Sequence, residues 1–167
     1  MVAFKNLKDL EKFLNQKIKK AMENEVAEKV RDIQQEKIDE EVYDVYNVVG
    51  GSHQEPYVYE RRRDQGGLRD RRNMVADVKE SNDGVELSVE NITKAKYQSD
   101  INLAGLIEYG DDSQYGYYEY KTNRDGTSWQ YRQPRPFLQE TRNHLSKTGE
   151  HVEELKKGLK RQGVDVE

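Results

Sequence analysis

Three histidines, some adjacent acidic residues and one run of arginines are the residues whose types could do chemistry in this sequence. His144 and His151 are seven apart, which places them on one face of a helix but two turns from each other, too far to share one metal ion. Neither sits in an HExxH-type ligand pattern. His53 stands alone, and Glu140 with His144 has the one-turn spacing of an ordinary surface pair. Glu40-Glu41 and Asp111-Asp112 are adjacent, but 32 acidic residues in 167 make such neighbours common. A working acid pair also needs surroundings that push its two pKa values apart. The chain has no cysteine, which removes disulfides, thiolate zinc sites and cysteine nucleophiles. Gly66-Gly67 lacks the lysine and following helix of a phosphate cradle, and no GxSxG or GxGxxG is present. The expectation is a protein that is not an enzyme, with no catalytic residues, no metal site and no cofactor.

The arginines are a stronger signal. Residues 57–72 hold Arg61, Arg62, Arg63, Arg69, Arg71 and Arg72 around Gly66-Gly67, with Tyr57 and Tyr59 just before them. Guanidinium groups bind phosphate or carboxylate in bidentate fashion, and neighbouring tyrosines could stack. The bland alternative is a solvated loop whose charge is partly offset by Glu60, Asp64 and Asp70. A second candidate lies at 115–132, where Tyr115, Tyr117, Tyr118 and Tyr120 precede an Asn-Arg-Asp-Gly turn and Trp129 and Tyr131 come after it. Consecutive strand residues point to opposite faces, so some of these tyrosines must face away from the chain's own core, as interface anchors do. Both sets are expected to bind partners.

The elements that would carry these residues can be read from periodicity. Leu7, Leu10, Leu14, Ile18, Met22, Val26, Val30 and Ile33 form one helical stripe, capped by Asn6, which predicts a long helix over 6–46. A straight helix of that length would run roughly 60 Å, beyond a domain of this size, so it must break, bend or project toward another subunit. Lys37 occupies the next apolar place, so a break is expected near Gln34-Gln35. A short strand at Tyr57 to Glu60 leads into the arginine loop, read as mobile because it shows no period. Alternation on both sides of Asn82-Asp83-Gly84 predicts a hairpin over 73–92. A short helix at 101–109 closed by Gly110, the tyrosine-rich hairpin at 115–132 and a final helix over 136–162 complete the chain. The heptad-like series Leu138, Thr141, Leu145, Thr148, Val152, Leu155 and Leu159 passes through Gly149, predicting one helix closed by Gly163. The order predicts a single α+β domain over 1–167: a long N-terminal helix, an antiparallel sheet built from hairpins, and a C-terminal helix packed on the sheet.

Composition limits what this domain can bury. Leu, Ile, Val and Phe number 35, or 21 %, against the roughly 20 % at which chains tend to stay unfolded. Charge is dense but nearly balanced, at −4 overall, which does not force the chain open. A thin core with long charged elements suits a protein that completes its burial against partners. No apolar run approaches a membrane span, and the first residues lack a secretory h-region. A protein made in the cytoplasm, with no membrane association, is expected.

With these elements placed, several short words resemble one family. Leu106-Ile107-Glu108-Tyr109-Gly110, then an insert, then Arg135-Pro136-Phe137-Leu138 opening the last helix, resembles the head–tail joining, or tail-completion, proteins of long-tailed double-stranded DNA phages. Tyr59-Glu60-Arg61-Arg62, Gly66-Gly67-Leu68 and the ending Leu159 to Val164 are similar to members from phages of Gram-positive hosts. Many members have threonine after the motif glycine, where this chain has Asp111. The resemblance implies a virion protein of the head–tail junction. It would be a monomer in solution that becomes a ring between the head connector (or adaptor) and the tail tube, with DNA passing nearby. The alternative from another class is a nucleic-acid-binding module acting through the Arg61–Arg72 loop, whose affinity would collapse with salt.

Overall fold

A computed structural model describes residues 4–44, 62–81, 84–95, 102–110 and 134–166. Tyr57, Tyr59, Arg61, Tyr115, Tyr117, Tyr118, Tyr120, Trp129 and Tyr131 lie outside them, as do the strand expected at 57–60 and the hairpin expected at 115–132. Helix α1 (Leu7–Ala21) starts where the Asn6 side chain accepts a hydrogen bond from the Asp9 amide at 2.9 Å. It continues through a π-helical turn (Met22–Val26) into α2 (Ala27–Ile38) and a second π-helical turn (Asp39–Tyr43). The result is one uninterrupted rod of about 55 Å. The break expected near Gln34-Gln35 is not there. Gln34 is itself buried, so the inward row runs Ala27, Gln34, Ile38, Val42, and Lys37 lies beside that row, half-buried and paired with Glu36 and Glu40. The irregularities fall instead at the π turns, each of which takes in one extra residue and rotates the helix beyond it.

Strands β1 (Met74–Ser81) and β2 (Gly84–Asn91) pair antiparallel from Met74↔Asn91 to Ser81↔Gly84. Their inward residues, Ala76, Val78, Leu87 and Val89, face the long helix, while Asp77, Lys79, Glu86 and Glu90 face outward. Helix α3 (Leu103–Tyr109) is capped by Asn102 and closed by Gly110, at a φ of 79° that favours glycine. The single helix expected over 136–162 is two: α4 (Phe137–Thr148) and α5 (Glu150–Arg161). Gly149 separates them in the left-handed conformation (φ 68°), its amide capping Leu145 at 2.9 Å. The apolar series runs through the joint because the bend keeps both helices against the same rod.

The α+β class is as expected. The core lies at the C-terminal half of the rod, where Ile38, Val42, Leu68, Met74, Ala104, Ile107 and Phe137 form one cluster, with Val89 and Leu138 packed against it. Phe137 thus joins the last helical segment to the base of the hairpin, while most of α4 and α5 runs along the rod. At the other end α5 crosses the first π turn closely. A Cβ on Gly158 would stand 2.8 Å from the Ala21 Cβ, so only glycine permits this approach.

Candidate assembly site

The described part of the arginine segment is a tight turn fastened to the rod. Its centre is Asp70, whose carboxylate is buried. Asp70 accepts the Gly66 amide at 2.7 Å, the Arg72 amide at 3.0 Å and the Arg72 guanidinium at 2.5–3.2 Å. The Arg72 side chain, then these amides, holds the Asp70 carboxyl well below the usual carboxylate range against the opposing effect of burial. Gly66 has a φ of 79°, and a Cβ on Gly67 would strike the Arg63 carbonyl oxygen at 2.5 Å. Both glycines are therefore there to let the turn close.

The other arginines reach across to the long helix. Arg69 bonds Asp39 at 2.8 Å and Asp64 at 2.9 Å, while its carbonyl accepts from Gln35 at 2.7 Å. Arg71 meets Asp32 at 2.6 Å and Glu28 at 3.1 Å. Arg31 of the rod returns the contact, donating to the Met74 carbonyl at 2.9 Å. Glu28, Arg31, Asp32, Gln35 and Asp39 recur at three and four residues, so they form a polar row along one side of the rod. Arg62 donates to the Lys94 carbonyl at 2.8 Å, and Arg63 lies over the Tyr43 ring at 5.2 Å. The expectation of a mobile loop is thus corrected over 62–72: Asp64 and Asp70 do offset arginines locally, and Arg69 and Arg71 also reach acids of the rod 30 to 39 residues earlier in the chain, which leaves no apolar period. Arg72, with 79 % of its side chain exposed, is the most outward of those paired with acids.

A buried polar network joins this turn to the hairpin. Asn91 donates to the Leu68 carbonyl at 2.7 Å and accepts from the Thr93 hydroxyl at 2.6 Å, and Asn73 donates to the Gly67 carbonyl at 3.0 Å. Sequence reading missed Asn73, Asn91 and Thr93. Their residue types hint at turns, but nothing in the pattern marks Asn91 and Thr93 as buried or Asn73 as half-buried beside them.

Helices α3 and α4 meet in a second polar junction. Pro136 precedes α4 without capping it, so the first amides of that helix need an outside acceptor. Glu108 supplies it: one carboxylate oxygen accepts the Leu138 amide at 2.7 Å and the other the Gln139 amide at 3.0 Å. The Arg135 amide adds a bond to the Ile107 carbonyl at 2.8 Å. Burial pushes the Glu108 carboxyl up, and the two amides resist that shift. The glutamate of Leu106–Gly110 is therefore the N-terminal cap of the helix opened by Arg135–Leu138, across a segment of 24 residues. A model of the YomN family matches residues 6–161, a stretch that includes both junctions. The chain belongs to the YomN family. That family is phage-associated, and the matched stretch runs from the cap of the long helix to the end of α5. No curated protein and no solved structure shows a significant match.

The histidines make a different arrangement from the one their spacing offered. His144 bonds Glu150 at 2.9 Å across the Gly149 bend, and Lys29 of the rod reaches the same carboxylate at 2.8 Å. Lys29 and then His144 draw the Glu150 carboxyl down to about 2. His53 lies outside the described residues. Among the described residues, no three histidines or acids are grouped as metal ligands would be, and no helix is long and apolar enough to cross a membrane.

Proposed function

We propose that this YomN-family protein is a structural virion component of the phage head–tail junction. It assembles there as a ring that completes the neck or tail terminus and joins head to tail. The observation that carries this reading is the Glu108 junction. The two separated words that resemble head–tail joining proteins, Leu106–Gly110 and Arg135–Leu138, form one interlocked unit through Glu108 and the Ile107 carbonyl. Membership of a phage-associated family supports it. The neighbours in the particle would be the head connector and the tail tube. The competing view of 61–72 as a DNA-binding loop is weakened by the ion pairs of Arg69, Arg71 and Arg72, since each phosphate contact would have to displace an acid of the chain itself.

Inactivating the gene in a phage that carries it tests the proposal. Filled heads and finished tails should accumulate separately, and supplying the protein should join them. Normal tailed, infectious particles from the inactivated phage would contradict the role.

A further inference from the structure

Among the described residues, the rod reaches past the elements packed on it at its N-terminal end, and that end has the character of a plug. The C-terminal segment reaches it at Lys17, whose carbonyl accepts from Gln162 at 3.0 Å, and the hairpin tip reaches it at Lys19, 3.9 Å from Glu80. The ten residues before Lys17, about 15 Å of helix, contain no buried residue, and Ala21 is the one residue of α1 that is buried. Yet this end is not simply polar. Leu7 is 84 % exposed, Phe4 is also exposed, and the Phe4 and Phe13 rings meet at a tilt of 53°, 5.2 Å apart, beside half-buried Leu10 and Leu14. Around this apolar strip, residues 4–20 carry six lysines against two acids.

The outward face of the hairpin has the opposite character. Val75, Asp77 and Lys79 of β1 and Glu86, Ser88 and Glu90 of β2 point away from the rod, and Ile92 continues the row opposite Asn73. Val75 and Ile92 are exposed apolar residues, with Glu90 opposite Val75 and two residues before Ile92. Asp77, paired with Lys79 at 2.9 Å, and then Glu86, opposite Lys79, lie farther along the same face. Residues 74–91 hold five acids and one lysine. An apolar strip edged by lysines and an apolar spot edged by carboxylates are complementary in both respects, and they occupy different parts of the same chain.

We propose that the occupant of the hairpin's outward face is the projecting end of α1 from a second copy of this chain. Phe4 and Leu7 cover Val75 and Ile92, while Lys5, Lys8 and Lys12 oppose Asp77, Glu86 and Glu90. Because the two patches differ, the contact is head-to-tail, the kind that closes into rings. The proposal deepens the ring reading above and rests on it for its setting. Small apolar area and screened charge make the contact weak between free copies, and salt weakens it further.

The chain has no cysteine, so engineered thiols report the contact without background. Full-length Leu7→Cys protein is mixed at high concentration with mass-tagged Val75→Cys protein and oxidised. Leu7→Cys with Glu153→Cys, an exposed site on α5, serves as the control. The expected result is a severalfold excess of the Leu7–Val75 product over the control and over either homodimer. Lys8→Glu with Lys12→Glu in the first chain should remove the excess, and Glu86→Lys with Glu90→Lys in the second should restore it. Equal yields, a dominant Leu7–Leu7 product or failure of the restoring pair would overturn the proposal. Absence of the excess together with duplex DNA binding that Lys8→Glu and Lys12→Glu abolish would also overturn it, assigning the helix to nucleic acid. The readout needs no particle, so its failure is separable from failure of the neck role.

Discussion

The two ends of the long helix come from one continuous element and have opposite fates. From Ala27 to Tyr43 one side of the rod holds the core and another carries the polar row that receives Arg69 and Arg71. From Leu7 to Gln16 no residue is buried. Apolar residues recur at helical spacing in both halves, so the stripe alone does not tell them apart. What differs is the supply of partners. Among the described residues, the second half meets the turn, the hairpin base, α3 and α4, whereas the first meets α5 and the hairpin tip only at its inner end. A helical stripe therefore marks a surface to be covered, and the rest of the chain decides whether the cover comes from within or from a partner.

The largest contrast should come from truncating an apolar side chain at each end. Phe137→Ala removes a ring with no solvent exposure from the cluster around Ile38 and Met74. It should cost about 3–5 kcal/mol in urea unfolding. Leu7→Ala should stay within about 0.5 kcal/mol of wild type. Equal effects of the two on stability would erase the distinction.

Asp70→Ala tests whether the turn belongs to the folded body. It orphans the Gly66 and Arg72 amides and releases Arg72, with an expected loss of about 2–4 kcal/mol. The smaller Gly158→Ala change drives a methyl group against Ala21. It should cost about 1–3 kcal/mol, without disturbing the turn's own ion pairs.

The smallest effect is a difference of sign with pH. The depressed Asp70 carboxyl stabilises the fold above the ordinary carboxylate range, and that stabilisation is lost as acid protonates it. The raised Glu108 carboxyl acts in reverse: its contribution is full below the ordinary glutamate value and lost as pH rises through its folded value. Urea midpoints of wild type and Glu108→Gln should diverge in favour of wild type as pH falls from about 7 to about 5. Parallel curves would remove Glu108 from that pH response.

How much of this was legible depended on whether a feature is periodic or long-range. The rod, the first hairpin and α3 were readable because burial on one face imposes a period on consecutive residues. The bend at Gly149 was not, since the residues on either side pack on one rod and keep one period through it. Glu108 and Arg135–Leu138 could be noticed as words, but capping a helix 30 residues away leaves no local trace. The arginine turn was misread for the same reason. Its acids, Glu28, Asp32 and Asp39, had a helical spacing of their own that could have been set beside the arginines. Arithmetic alone makes the helix longer than a domain of this size, but it does not say which end the described residues leave without cover.

Amide hydrogen exchange on the free, full-length chain at neutral pH tests the central claim most directly: the arginine turn is built into the fold, and the far end of the rod is left for a partner. The amides of Gly66, Asp70, Arg72 and Asn73, each hydrogen-bonded within the turn, should be protected together with those of 27–43. The amides of 7–16 should exchange much sooner. Fast exchange at 66–73 beside a protected first helix would contradict the account, returning the arginines to a partner-binding role and the helix end to the core.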